Sequence, residues 1–469
     1  MTDRAVPTSV DRTTAAPAEL AERALAAATG PCVVLVSTSS EANLRWAAST
    51  LTTNGLTSSS EVTVIAVHDG DRVGVVTRAG VGPQEVGALV ADAEAAARSA
   101  EPAEDAAALI DGEAEDEFAA APGEVEAADL SVLAERLGTA FDSARNGAHE
   151  LFGYAQQNVR TTYLATSTGI RRRHEQPTAM VQLNAKSHGR TRSAWAGGAA
   201  TTLDQVDVGA MVAEVVQRLG WQARSLELGA GRYDTVLPPS AVADLLLYAY
   251  FSSDARSAYE GRSVFGRPGG GTRVGERLTP APVSLRSDPS APGLESAPVV
   301  LAGASSDSAS VFDNGVPIGP ASWIDRGTLT ALPSTRHTAA LADLPFTPPT
   351  DNLLVDVAGG RGGALDLIRD LDDGLLLTCL WYIREVDPQT LLLTGLTRDG
   401  VYRVQRGEVT GAVTNFRFNE SPVHMLARVD GAGAPERTLA REFGEYLPRT
   451  SAPALLVRGF NFSSVSQAS

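Results

Sequence analysis

LLLTCLWYIREVDPQTLLLTGLTRDGVYRVQRGEVTGAVTNFRFNESPV, residues 375–423, is the stretch whose reading decides the fold class. Runs rich in Leu, Val, Ile, Thr, Tyr and Trp fall at 375–383, 390–394, 401–405 and 408–413, and Asp399-Gly400 and Arg406-Gly407 punctuate them. Apolar, β-branched and aromatic residues between glycine-containing turn pairs predict consecutive strands of an antiparallel sheet. Cys379, Trp381, Tyr382 and Arg384 fall in or next to the first run. On one extended strand, residues five apart point to opposite faces, so Arg384 is too far from Cys379 to activate it and the thiol is expected to be packed in the core.

Moving toward the N-terminus, turns are predicted at Asp313-Asn314-Gly315 and Asp325-Arg326-Gly327, and residues 265–298, dense in Gly, Pro, Ser and Arg, are predicted to be mostly loop. Before them a short strand ends in Pro238-Pro239 and leads into a helix running through Phe251. Residues 208–219 read as an amphipathic helix, and 154–199 alternate polar and apolar residues as a meander of antiparallel strands does. Leu133, Leu137 and Phe141 recur at four-residue spacing and predict a helix over 130–149. Residues 100–128, mostly Ala, Glu and Asp, have little to bury and are expected to form an exposed acidic insertion. Helices are predicted over 18–28 and 85–97, a buried strand over 32–36, and a hairpin of 62–68 with 72–77 around Asp69-Gly70-Asp71. Residues 1–16 read as a disordered tail. The sum is an α+β chain of two domains, 17–230 and a β-rich 231–469, each with helices packed on mainly antiparallel sheet.

Composition excludes several classes. The net charge of -17 argues against nucleic acid, which needs a basic footprint. The one basic run, Arg171-Arg172-Arg173, is expected to be a solvated strand end or an ion-pair site. No run is long and apolar enough for a membrane span, and no signal peptide precedes the first helix, so a soluble cytoplasmic protein is expected. The two cysteines, Cys32 and Cys379, sit in apolar runs and are expected as thiols. Arginine outnumbers lysine 38 to 1, with Lys186 the single lysine.

The 375–423 stretch resembles the C-terminal sheet of the TldD/PmbA family. YLATSTGIRRRHEQPTAMVQLNAKS (163–187) and RSAWAGG (192–198) resemble its central strands, and SVFDNGVPIGPASWIDRGTLT (310–330) resembles the stretch with its short Phe-Asp-x-x-Gly motif, with the glycine here at 315, one position early. These pieces occur in the family's order across most of the chain. Catalytic members of the family carry His-Glu-x-x-x-His on the first helix of the second domain. There two imidazoles hold Zn²⁺ and the glutamate takes a proton from metal-bound water. The corresponding helix here reads SAVADLLLYAYF (240–251), with neither histidine nor glutamate. The resemblance is therefore to the family's TldE-type (PmbA-type) members. It implies a subunit with no catalytic residue and no metal of its own, whose partner is a TldD-like homologue carrying the zinc. The substrate it implies is an unfolded or modified peptide. Trp381, Tyr382, Arg384 and Cys379 are then candidates for partner- or peptide-facing positions, and Asp244 and Tyr248 for facing the space where a metal would sit.

Two other readings have some basis: a stand-alone amide or conjugate hydrolase of a biosynthetic pathway using Cys379, and a homodimeric peptide-binding module. Neither His149-Glu150 nor His174-Glu175 is followed by a histidine at ligand spacing, and His149 is expected at a helix end. No Gly-x-Ser-x-Gly elbow occurs, and the glycine-rich segments match no phosphate-binding loop.

Overall fold

A computed structural model describes residues 15–398 and 400–466. All but the last two residues of the expected tail, and Asp399 of the expected turn, lie outside the described residues. The helices used below are α1 (Pro17–Ala27), α2 (Val86–Ser99), α3 (Ala127–Asn146), α4 (Val208–Trp221) and α5 (Pro239–Phe251). The first six strands are β1 (Cys32–Ala47), β2 (Thr50–His68), β3 (Arg72–Ala79), β4 (His149–Thr166), β5 (Arg171–Ser187) and β6 (Arg192–Ala200). They form a sheet in the order β3-β2-β1-β4-β5-β6.

The chain divides into two compact units. Among the described residues the smaller comprises 15–39, 58–123 and 160–175; the larger comprises 40–57, 124–159, 176–398 and 400–466. The smaller unit buries the inward faces of α1 and α2 against alternate residues of β1 and β2, among them Val34, Val36, Val62 and Val64. Its β2–β3 hairpin closes with His68 opposite Arg72, and both Asp69 and Gly70 take positive φ, as a tight hairpin turn demands. The segment expected as an exposed acidic insertion is partly anchored. Phe118 is buried edge-on against Tyr163 at 5.9 Å, and the Tyr163 hydroxyl donates to the Ala120 carbonyl at 2.6 Å. One aromatic in an otherwise polar stretch is enough to hold it. The three consecutive arginines pair with Glu22, Glu115 and Glu175, so the basic run is neutralised within this unit.

In the larger unit α3 and α4 bury Leu133, Leu137, Val212 and Val215 with Leu183 and Ala185 of β5. Asp207 caps α4 by accepting from the Ala210 amide at 2.9 Å. His149, expected at a helix end, instead opens β4, because α3 stops at Asn146.

Two further sheets follow. A six-stranded sheet has the order 328–329, 321–325, 283–287, 353–357, 450–452, 436–438. The larger sheet runs from an edge strand Trp381–Asp387 through Leu392–Leu396, Phe416–Glu420, Leu455–Val465, Gly231–Leu237, Asp373–Leu377, Val401–Gln405 and Glu408–Val413 to Ser225–Leu226. It is mainly antiparallel, with Asp373–Leu377 parallel to Gly231–Leu237. Ten of the 13 residues of α5 are buried, so this helix is core on all sides.

One expected strand is two. Residues 375–383 break at Thr378-Cys379-Leu380. Leu377 pairs with Val401, whereas Trp381 pairs with Leu396 at the edge of the same sheet. A continuous apolar run does not reveal such a change of partner, because both halves are equally apolar. The break is held by the Thr378 amide donating to the Gly400 carbonyl at 2.7 Å.

Candidate functional site

The alternation Gln182-Leu183-Asn184-Ala185-Lys186 on β5 sends Leu183 and Ala185 into the core and leaves Gln182, Asn184 and Lys186 half-buried on the other face. The β5–β6 register sets Asn184 opposite Trp195 and Lys186 opposite Ser193, so these four share that face. Gly197 makes room for the indole: a Cβ there would stand 2.4 Å from the Trp195 ring.

Across from this face lie the strand break and a later loop. Thr378, Cys379, Trp381, Arg398 and Arg441 join Phe152, Asn184, Lys186, Ser193, Ala194 and Trp195 around one cavity of about 310 Å³, wholly within the larger unit. Among the described residues three cations line it and no carboxylate does. The guanidinium of Arg441 lies 4.1 Å from the ring centre of Trp381 and 5.2 Å from that of Trp195. Arg398 lies 6.0 Å from Trp381, and the Lys186 ammonium 5.3 Å from Phe152. Cation–aromatic contacts of this kind hold a charge in place while it loses water. Among the described residues none of the three cationic side chains forms a direct ion pair with a carboxylate; the Arg441 guanidinium donates to the Gln182 side-chain oxygen at 3.1 Å. Burial pushes Arg441 below the usual arginine range, and Cys379, Asp244, Glu442 and Glu445 pull it back. It stays cationic at any physiological pH. Both indole N–H groups are buried with no acceptor among the described residues.

Arg441 is positioned from below by α5. The buried Asp244 carboxylate accepts the backbone amides of Arg441, Glu442 and Phe443 at 3.0, 2.8 and 3.1 Å. Burial pushes Asp244 up to about 7, against the pull of these three donors. Tyr248 packs edge-on against Phe443 at 5.4 Å, and Tyr250 is tied to the backbone of Thr350. Glu442 in turn receives the Tyr382 amide at 3.2 Å and pairs with Arg384. Tyr382 is exposed, at positive φ, beside a bulge in the edge strand.

The structure therefore brings the expected residues together in a different arrangement from the one their spacing implied. Cys379 is a half-exposed wall of the cavity and not a core thiol, because it sits in the break and not in a strand. Trp381 also lines the cavity, while Tyr382 and Arg384 stand beside it on the edge strand. Asp244 and Tyr248 support the loop that carries Arg441. Sequence reading missed Lys186, Trp195, Arg398 and Arg441; the status of Lys186 as the only lysine was the one available signal. Among the described residues no histidine lines the cavity.

Residues 230–464 match the family described as the PmbA/TldA metallopeptidase C-terminal domain. The chain belongs to the PmbA/TldD family. Solved structures carry the same fold over nearly the whole chain. TldE from Thermococcus kodakarensis superposes with a TM-score of 0.78 at 16% identity, covering 94% of this chain and 98% of that one. A proposed modulator of DNA gyrase from Thermotoga maritima gives 0.76 at 16% identity, covering 94% and 99%. One from Bacteroides thetaiotaomicron gives 0.74 at 14%, covering 96% and 98%. Comparison with curated proteins yields no match. The α+β architecture read from the sequence is thus that of the PmbA/TldD metallopeptidase family. Among the described residues, no helix is long and apolar enough to cross a membrane.

Proposed function

We propose that this chain is the non-catalytic, TldE-like subunit of a heterodimeric zinc metallopeptidase of the TldD/TldE type, acting on unfolded or modified peptides in the cytoplasm. The observation that carries this reading is the chemistry of α5. In catalytic members of the family the equivalent helix would supply two imidazoles and a glutamate. Here the only carboxylate on α5 is Asp244, fully buried and engaged by three backbone amides, and the neighbouring positions are Ala, Val, Leu and Tyr packed in the core. Such a set does not fit a zinc ion, which needs accessible nitrogen, sulfur or carboxylate donors. What the chain offers to a shared site is an edge strand with an exposed tyrosine and a cation-lined cavity, features suited to holding a peptide.

The test is native mass spectrometry of this chain co-expressed with a His-Glu-x-x-x-His homologue from the same genome. A one-to-one heterodimer with a single zinc is the expected result. A homodimer that ignores the homologue would overturn the reading. The place of Cys379 in the cavity wall favours, as a second reading, a stand-alone amide or conjugate hydrolase. Full activity of a Cys379→Ala variant in the reconstituted system would remove it.

A further inference from the structure

We propose that the cavity between β5–β6 and the strand break is a carboxylate-binding pocket, in which Lys186, Arg398 and Arg441 hold a carboxylate of the peptide. This deepens the peptide-processing reading and rests on it.

Charge distribution is the first argument. The chain has 56 acidic and 39 basic residues, yet among the described residues the lining of this cavity contains three basic side chains and no acidic one. By contrast, the 171–173 run is neutralised by three glutamates. The carboxylates nearest Arg441 are engaged away from the cavity. Asp244 receives three backbone amides, Glu442 pairs with Arg384, and Glu445 accepts from the Gln182 amide at 3.1 Å. Asp244, Glu442 and Glu445 act on Arg441 from outside the cavity, and among the described residues no carboxylate enters it, so the three cations are open to an anion that binds there.

Chemistry selects the anion. The cations sit on aromatic rings: Arg441 over two indoles, Arg398 over Trp381, Lys186 over Phe152. An amino-acid residue suits this mixture, its carboxylate on the cations and its carbon skeleton on the rings. Arg441 uses one donor on Gln182 and keeps others of its planar fork for a carboxylate. Asn184, Ser193 and Thr378 add neutral hydrogen-bonding groups to the wall. The cavity volume of about 310 Å³ suits one residue rather than a folded segment. Two sources supply the same group: the C-terminal carboxylate of a peptide, or an Asp or Glu side chain within it.

The experiment measures fluorescence polarisation of labelled, otherwise uncharged Ala/Ser/Phe peptides on the full-length chain. Three versions are compared: a free C-terminus, a C-terminal amide, and the amide with one internal Glu. Binding of the free acid about tenfold tighter than the amide is expected, with the gap closing in high salt. Recovery of that tenfold by the Glu-containing amide assigns the pocket to an acidic side chain; no recovery assigns it to the C-terminus. Lys186→Gln and Arg398→Gln are each expected to remove most of the discrimination. They avoid disturbing the half-buried Arg441, whose own Gln variant is read only where circular dichroism is unchanged. Equal affinity for acid and amide, or no binding of either up to millimolar peptide, overturns the pocket. Heterodimer formation in the co-expression experiment separates the two ideas. A complex without acid discrimination refutes the pocket alone, and discrimination without a complex refutes only the partner reading.

Discussion

Replacing Asp244 by Ala removes the acceptor for three consecutive backbone amides, and the structure allows the effect to be sized. The Arg441, Glu442 and Phe443 N–H groups donate to it at 3.0, 2.8 and 3.1 Å, and the carboxylate has no solvent exposure. A buried donor left unsatisfied costs about 1–3 kcal/mol. The three donors belong to half-buried residues, so water can reach them in part, and the lower end applies. About 3 kcal/mol for the set corresponds to roughly a hundredfold in the opening equilibrium of this loop. Hydrogen exchange read by mass spectrometry on peptides spanning 439–447 measures it directly, with the β2–β3 hairpin as an internal control. Asp244→Asn keeps one acceptor oxygen, which can serve Glu442 and Phe443, so its effect should be about fivefold and confined to the Arg441 amide. Both variants loosen the backbone that carries Arg441 and should weaken peptide binding in the same order. Unchanged exchange at 441–443 in a folded Ala variant would refute the claim that α5 holds this loop.

The same carboxylate predicts a pH dependence. Burial raises Asp244 from 3.8 to about 7, so between these values the folded chain binds the proton that the unfolded chain has lost. Its contribution is fully present below about pH 4 and is lost as pH rises through about 7; Asp244→Asn should flatten the denaturation midpoint over about pH 4–7, and an identical slope in the variant would contradict the assignment. Thiol alkylation at pH 8 should label Cys379 in the cavity wall well before Cys32, which is buried and pushed up to about 12, and peptide mapping would show equal labelling if the burial were wrong. Gly400→Ala would place a Cβ 2.6 Å from the Cys379 Cβ and 2.7 Å from its amide nitrogen, so the strand break must shift. A loss of about 1–3 kcal/mol in denaturant titration is expected, and an unperturbed variant would show that the break is not tightly packed.

Much of the fold was legible because local pattern and tertiary packing agree. The apolar spacing of Leu133, Leu137 and Phe141 forms a helix face that meets β5, and the Asp69-Gly70-Asp71 turn closes the hairpin its composition predicts. Legibility failed where a segment's surroundings overrule its composition. Residues 375–383 are uniformly apolar, yet the chain changes strand partner inside them, and Cys379 moves from an expected core position to a cavity wall. Phe118 pins an acidic stretch that composition alone would leave exposed.

The sequence by itself determined the alternation along β5, and with it the choice of face for Gln182, Asn184 and Lys186, because strand geometry puts every second residue on one side. It also determined the family resemblance and the lack of His and Glu on α5. Only the tertiary structure decided that Arg441, 259 residues beyond Gln182, joins that face. No local period encodes this meeting, since it depends on where α5 stands and on the Asp244 carboxylate that pins the loop above it. A cluster of cations from three separate segments exists only after the sheet edges and the loop have packed, and that is where the chemistry of this chain resides.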